Sequence, residues 1–149
     1  MTISELCARH QRIALDANVL IYLVEDSDIL ADVAQALIDA VEGGRTVAVL
    51  AGIGLAEVCA GPATRGDLAL VERYAEVLAS IPGLRIQLLT ADIAVDAAVI
   101  RGMRGIGLPD ALHLASARAA GATAFVTNDR RLRGSSRLDV IYLDELAVA

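Results

Sequence analysis

Short, uninterrupted apolar runs alternate along this chain with longer segments whose apolar residues recur at helical spacing. Arg12 to Asp16, Thr46 to Leu50, Leu84 to Leu88, Thr123 to Val126 and Leu138 to Leu143 read as five strands. The segments between them read as helices: Val19 to Val24, Asp28 to Glu42 with Ser27 as its N-cap, Gly52 to Ala60, Asp67 to Ala79, Ala91 to about Met103, and Asp110 to Ala120 behind Pro109. Gly61-Pro62 is expected to end the third of these, and Thr90 to cap the fifth. Gly102 to Leu108 reads as a loop, and Arg130 to Ser136 as a basic loop or short helix. Strands that alternate with helices form a mostly parallel sheet covered on both faces, and strands buried on both faces are apolar throughout. The expectation is therefore an α/β fold with a mostly parallel five-stranded sheet, one domain over residues 1–149, without repeats or a linker. In such sheets the site lies beyond the carboxyl ends of the strands.

Composition removes many chemistries. The mean hydropathy of +0.56 raises the question of a membrane. The relevant uncharged stretch, Thr46 to Ala56, is closed by Arg45 and Glu57 and falls well short of the roughly 20 residues a spanning helix needs. Met1 to Arg12 contains Glu5 and no long apolar core, so no secretory signal is read there and the protein is expected to be soluble and cytoplasmic. All 13 basic residues are Arg. Without Lys there is no P-loop and no Schiff-base or lysine-base chemistry, and phospho-aspartate sites that use a Lys are disfavoured. A net charge of −6 argues against coating nucleic acid, but not against cutting it with the help of metal ions, which reverse the local charge. Cys7 and Cys59 read as reduced thiols packed as small apolar groups. His10 and His113 fall in no metal-binding or triad pattern, and no Gly-x-Ser-x-Gly occurs.

Of the 19 acids, four are out of place. Asp16 ends an apolar strand. Glu57 interrupts a stretch that is otherwise uncharged from Thr46 to Thr64. Asp110 opens an apolar helix, and Asp129 follows strand four directly. Each has an ordinary explanation in isolation: a helix N-terminal acid for Asp110, a turn residue for Asp129. Together, Asp16 and Asp129 share the carboxyl edge of the sheet, and Glu57 and Asp110 sit on helices that can face it. Clustered carboxylates repel unless an Arg or a cation compensates; Arg130 and Arg131 are candidates for the first, but an all-oxygen cluster is what Mg²⁺ or Mn²⁺ prefers. Such ions activate water and stabilise the leaving oxygen of a phosphodiester, which points to metal-dependent hydrolysis of nucleic acid.

The segments Leu15-Asp16-Ala-Asn18-Val-Leu-Ile, Leu55-Ala-Glu57-Val, Leu108-Pro-Asp110-Ala-Leu-His-Leu-Ala115 and Val126-Thr-Asn-Asp129-Arg-Arg-Leu132 resemble, in this order and spacing, the motifs of PIN domains, most closely those of VapC-type toxin ribonucleases. The resemblance covers essentially the whole chain. It implies a PIN-like three-layer α/β/α fold, a homodimer, Mg²⁺ or Mn²⁺ as cofactor, RNA as substrate, and a cognate small antitoxin in the active-site groove. Carried over, Asp16, Glu57, Asp110 and Asp129 are the acidic metal quartet, with Asn18 and Thr127 as accessory polar groups. Ala51 and Gly54 depart from the pattern, since the family commonly has Ser and Thr ahead of the Glu.

Several further expectations follow. Arg101, Arg104, Arg130, Arg131 and Arg133 flank two of the acids and are candidates to grip single-stranded RNA. His113 reads as a packing or structurally hydrogen-bonded residue. The apolar segment containing Val19, Leu20, Tyr22, Leu23, Ile29 and Leu30 is expected to be partly core and partly a groove for an antitoxin helix. Four converging carboxylates are expected to raise one another's pKa. A PIN nuclease in RNA processing outside a toxin pair, and a catalytically weak metal-binding or scaffold domain, remain alternative readings.

Overall fold

A computed structural model describes residues 1–26, 29–134 and 137–148. Its five strands are β1 (Arg12–Leu15), β2 (Val47–Ala51), β3 (Leu84–Gln87), β4 (Ala124–Thr127) and β5 (Asp139–Tyr142). They form one sheet in the order β3-β2-β1-β4-β5, with every pairing parallel. The helices are α1 (Ile3–Arg9), α2 (Ala17–Glu25), α3 (Ile29–Glu42), α4 (Gly52–Thr64), α5 (Leu68–Ser80), α6 (Ala91–Arg104) and α7 (Leu108–Ala119). The chain winds outward from β1 through β2 to β3, then returns to place β4 on the other side of β1. The strand order thus reverses between β1 and β4, the position where open parallel sheets leave a crevice at their carboxyl ends.

The period of two along each strand divides the core into two layers. Ile13, Leu15, Ala48, Leu50, Ala124 and Val126 point into one, which they share with buried residues of α1 to α5. Ala14 and Phe125 point into the other, against Ile93, Ala97 and Ile100 of α6 and Ala111, Leu114 and Ala115 of α7. Helices therefore cover both faces, as expected for a three-layer α/β/α arrangement. No helix among the described residues is long and apolar enough to cross a membrane.

The structure departs from the sequence expectations in four places. The N-terminal α1 was not anticipated, yet Thr2 and Glu5 form a reciprocal capping box at its start. Helix α2 begins two residues early, at Ala17, because Asp16 serves as its N-cap. Helix α4 runs through Gly61-Pro62 to Thr64; Pro62 falls in the last turn, and its carbonyl accepts from the N–H groups of Arg65 and Asp67. Helix α6 continues over Gly102 to Arg104, and the loop shrinks to 105–107, opened by Gly105 at φ +67°. The expected N-cap Ser27 and helix start at Asp28 lie outside the described residues. Cys7 and Cys59 are free thiols.

Candidate active site

Asp16 follows β1 directly, and its Oδ1 accepts the N–H of Ala17 at 2.8 Å. It is only 8% exposed, so its charge is held by directed hydrogen bonds more than by solvent. Oδ2 accepts from Thr127 Oγ1 at 2.6 Å and from Asn18 Nδ2 at 3.4 Å. Thr127, the last residue of the neighbouring strand β4, is fully buried. Its Oγ1 also accepts the backbone N–H of Asp129 at 3.0 Å and Asn18 Nδ2 at 3.4 Å. One threonine thus links the two acids that follow the central strands.

Glu57 reaches the site from the second turn of α4. Its Oε1 lies 2.6 Å from Nε2 of His113, which projects from α7 one turn beyond Asp110. The same Nε2 is 3.6 Å from Asp16 Oδ1. His113 is 2% exposed and lies edge-on to the Phe125 ring, with centroids 5.9 Å apart. Asp16, Glu57 and His113 each offer a ligand atom within 4.8 Å of the others, and they form the only such group found among the described residues.

Asp110 and Asp129 form the other half of the site. Between them stands Arg131, whose guanidinium is bonded to both oxygens of Asp129 and lies 3.9 Å from Asp110 Oδ2. The quartet is therefore split: Asp16 and Glu57 face an imidazole, and Asp110 and Asp129 face a guanidinium. The expected mutual raising of pKa is corrected accordingly. Asp110 is raised, first by desolvation and then by Asp129, with a smaller contribution from Asp16. Asp129 is lowered, because hydrogen bonds from the Arg131 guanidinium favour its ionised form.

The donor set suits a hard divalent cation, since Asp16, Glu57, Asp110 and Asp129 present carboxylate oxygens. Asn18 Oδ1 is also buried without a hydrogen-bond partner among the described residues, leaving an acceptor beside Asp16. Sequence reasoning placed His113 in the structure but not in the site. Its spacing of three from Asp110 was the available signal, because residues i and i+3 share a helix face.

The basic residues flank this edge with much of their charge already engaged. Arg130 pairs with Asp144 and Glu145 and stacks over Tyr142, 3.9 Å from the ring centroid. Arg104 donates to the carbonyl of Arg133 at 2.6 Å, joining the end of α6 to the loop after β4. Arg101 donates to the Ile106 carbonyl at 3.4 Å. In the apolar segment, Val19 and Leu20 are core, Tyr22, Leu23 and Leu30 pack partly buried against it, and Ile29 is 78% exposed.

Residues 13–137 match the profile of the PIN domain family. No curated protein sequence matches the chain significantly. The fold is similar to that of VapBC2 from Rickettsia felis, solved on a promoter DNA fragment, with a TM-score of 0.70 at 18% identity over 88% of this chain and 98% of that one. It is similar to FitAcB from Neisseria gonorrhoeae, with a TM-score of 0.68 at 20% identity over 90% and 99% of the two chains. The VapC20 toxin of Mycobacterium tuberculosis, described as cleaving the sarcin-ricin loop, gives 0.58 at 19% identity over 76% and 86%. With a family profile matched across most of its length and a sheet order that brings the four motif acids to one edge, the chain belongs to the PIN domain family.

Proposed function

We propose that this protein is a divalent-metal-dependent endoribonuclease, the toxin of a toxin–antitoxin pair, acting in the cytoplasm. The observation that carries the reading is the assembly of Asp16, Glu57, Asp110 and Asp129, from four separate segments, around His113 and Arg131 at the β1/β4 crevice. The structural likeness to a toxin–antitoxin complex and, separately, to a toxin described as cleaving the sarcin-ricin loop supports the toxin assignment.

In this reading Asp16, Glu57, Asp110 and Asp129 would hold Mg²⁺ or Mn²⁺, which would supply an activated water and charge stabilisation for the oxygen that leaves phosphorus. Thr127 and Asn18 fix the orientation of Asp16, and Thr127 also anchors the backbone of Asp129. Arg101 and Arg104 in the last turn of α6, and Arg130, Arg131 and Arg133 in the loop after β4, contribute the positive charge that an RNA backbone requires beside an acidic centre.

The partners in this reading are a small antitoxin and a second copy of the chain. Val95, Val99 and Met103 form an exposed apolar stripe on α6, and Leu23, Val24, Ile38, Tyr74 and Val77 line a groove among α2, α3 and α5 together with Glu42 and Arg73. Both are surfaces on which a partner would bury apolar area.

Cleavage of total RNA with mapped ends, with and without Mg²⁺ or Mn²⁺, tests the activity. Wild type is expected to cut only with the ion. Asp16→Asn keeps a capping side chain but loses the charge, so it is expected to fold and not cut. Cutting by Asp16→Asn at the wild-type rate would sink the assignment. Co-expression with the adjacent small open reading frame tests the partner, and failure to co-purify removes the toxin part of the reading.

A further inference from the structure

We propose that His113 is the positioning residue of Glu57: seated in space that Gly54 leaves open, it holds the Glu57 carboxylate in the site by donating from Nε2. The inference rests on the reading of Asp16 and Glu57 as cation ligands and assigns to His113 a role that the motif comparison does not.

Three observations carry it. The first is that the bond from His113 is the one hydrogen bond to the Glu57 carboxylate among the described residues, at 2.6 Å. The Glu57 side chain is 42% exposed, so without that bond it has the freedom of a surface glutamate.

The second is the fit of α4 against α7. A Cβ at Gly54 would come within 2.9 Å of His113 Cε1 and within 2.5 Å of Leu50 Cδ1. Any side chain at position 54 therefore competes with the imidazole for the same space. Gly54 stands three residues before Glu57, one turn earlier on α4, so the gap lies beside the carboxylate that the ring serves.

The third separates positioning from ligation. A carboxylate can only accept, so the bonded nitrogen carries the hydrogen and its lone pair is not offered to an ion. A histidine that ligates a metal almost always gives its other ring N–H to a partner. Nδ1 of His113 is buried and has none among the described residues. A ring whose Nε2 donates to Glu57, and whose Nδ1 meets no hydrogen-bond partner among the described residues, fits a positioning role better than a ligating one.

The test uses the full chain and Mn²⁺ as the probe, with affinity read by calorimetry. His113→Leu fills the space and removes the donor. His113→Gln places an amide N–H near the position of Nε2. His113→Leu is expected to weaken Mn²⁺ binding about tenfold or more, as loss of an outer partner of a ligand does, and His113→Gln to recover most of that loss. In a Glu57→Ala background His113→Leu is expected to add nothing, because its effect passes through Glu57. In the metal-free protein, ¹⁵N NMR is expected to show a protonated Nε2 whose signal moves on Glu57→Ala.

Wild-type affinity in His113→Leu overturns the role. A further loss in the Glu57→Ala background overturns it as well, since the ring would then ligate or act on the fold. No Mn²⁺ binding by wild type overturns the cation reading itself, which is a distinguishable outcome.

Discussion

Arg131 grips Asp129 through both carboxylate oxygens, with Nε 3.0 Å from each and a terminal nitrogen 2.6 Å from Oδ2, while its own backbone N–H adds a bond of 2.9 Å to Oδ1. The Arg131 side chain is 78% exposed, so the guanidinium is free to leave when a competing cation arrives. Half of the acidic cluster thus carries its own counter-charge from within the chain.

That relationship predicts how Arg131→Ala behaves. An ion approaching Asp129 in the wild type has to displace a like charge, and in the variant it does not. Mn²⁺ is expected to bind Arg131→Ala a few-fold more tightly, by calorimetry. Unchanged or weaker binding would mean that Arg131 does not compete with the ion.

The split also gives the two aspartates opposite pH signatures. Asp129 has a folded pKa below its unfolded value of about 3.9, so its contribution to stability is present above that value and is lost as pH falls through the folded one. Asp110 has a raised folded pKa. It contributes no penalty below about 3.9, and it destabilises the fold progressively as pH rises from there through the folded value. In EDTA at pH 7, Asp110→Asn is expected to melt a few degrees above wild type, and Asp129→Asn at or below it. Melting curves for the two variants decide the matter. A rise for both would restore the picture of four mutually repelling acids.

Gly54→Ala adds a methyl group where Leu50 Cδ1 and His113 Cε1 already stand. Leu50 is fully buried in β2, so neither neighbour yields freely. Overpacking of this kind costs about 1–3 kcal/mol and outweighs the gain of up to about 1 kcal/mol that alanine brings to a helix interior. Chemical denaturation of the metal-free variant checks the loss. A variant as stable as wild type would show that the α4–α7 contact yields to a methyl group.

The sheet was legible because its strands are buried on both faces and so stand out as apolar runs between helices. The four acids were legible because each breaks a local pattern: Glu57 in an uncharged stretch, Asp16 at the end of an apolar strand. What could not be read was the pairing. His113 and Glu57 are 56 residues apart, and nothing in either local pattern says that α7 packs against α4 at a glycine. Arg131 was read both as a charge for RNA and as a counter-charge to the acids, and its bond to Asp129 bears out the second; which acid it would meet depends on the turn after β4, not on spacing. The extension of α4 past Gly61-Pro62 was missed because the pair was read as a stop, whereas Pro62 falls in the last turn and the chain closes after it with Arg65 and Asp67 bonded back to its carbonyl.

Thr127 offers the sharpest test of how the two central acids are held. A hydroxyl has one hydrogen to give and two lone pairs. Thr127 gives its hydrogen to Asp16 Oδ2 and receives the N–H of Asp129 and the amide of Asn18. It is fully buried, so water does not replace those bonds when the hydroxyl is removed. Thr127→Val keeps the shape and the preference for a strand, yet leaves Asp16 without its shortest donor and the Asp129 N–H without an acceptor. The expected cost is about 1–3 kcal/mol in the metal-free protein, equivalent to roughly 2–4 °C in melting temperature for each kcal/mol at this chain length. Mn²⁺ binding is expected to weaken in parallel, because both aspartates lose their fixed orientation. Thr127→Ser retains the hydroxyl and is expected to keep most of the Mn²⁺ affinity. A valine variant that matches wild type in both melting temperature and Mn²⁺ affinity would show that the hydroxyl does not organise the site.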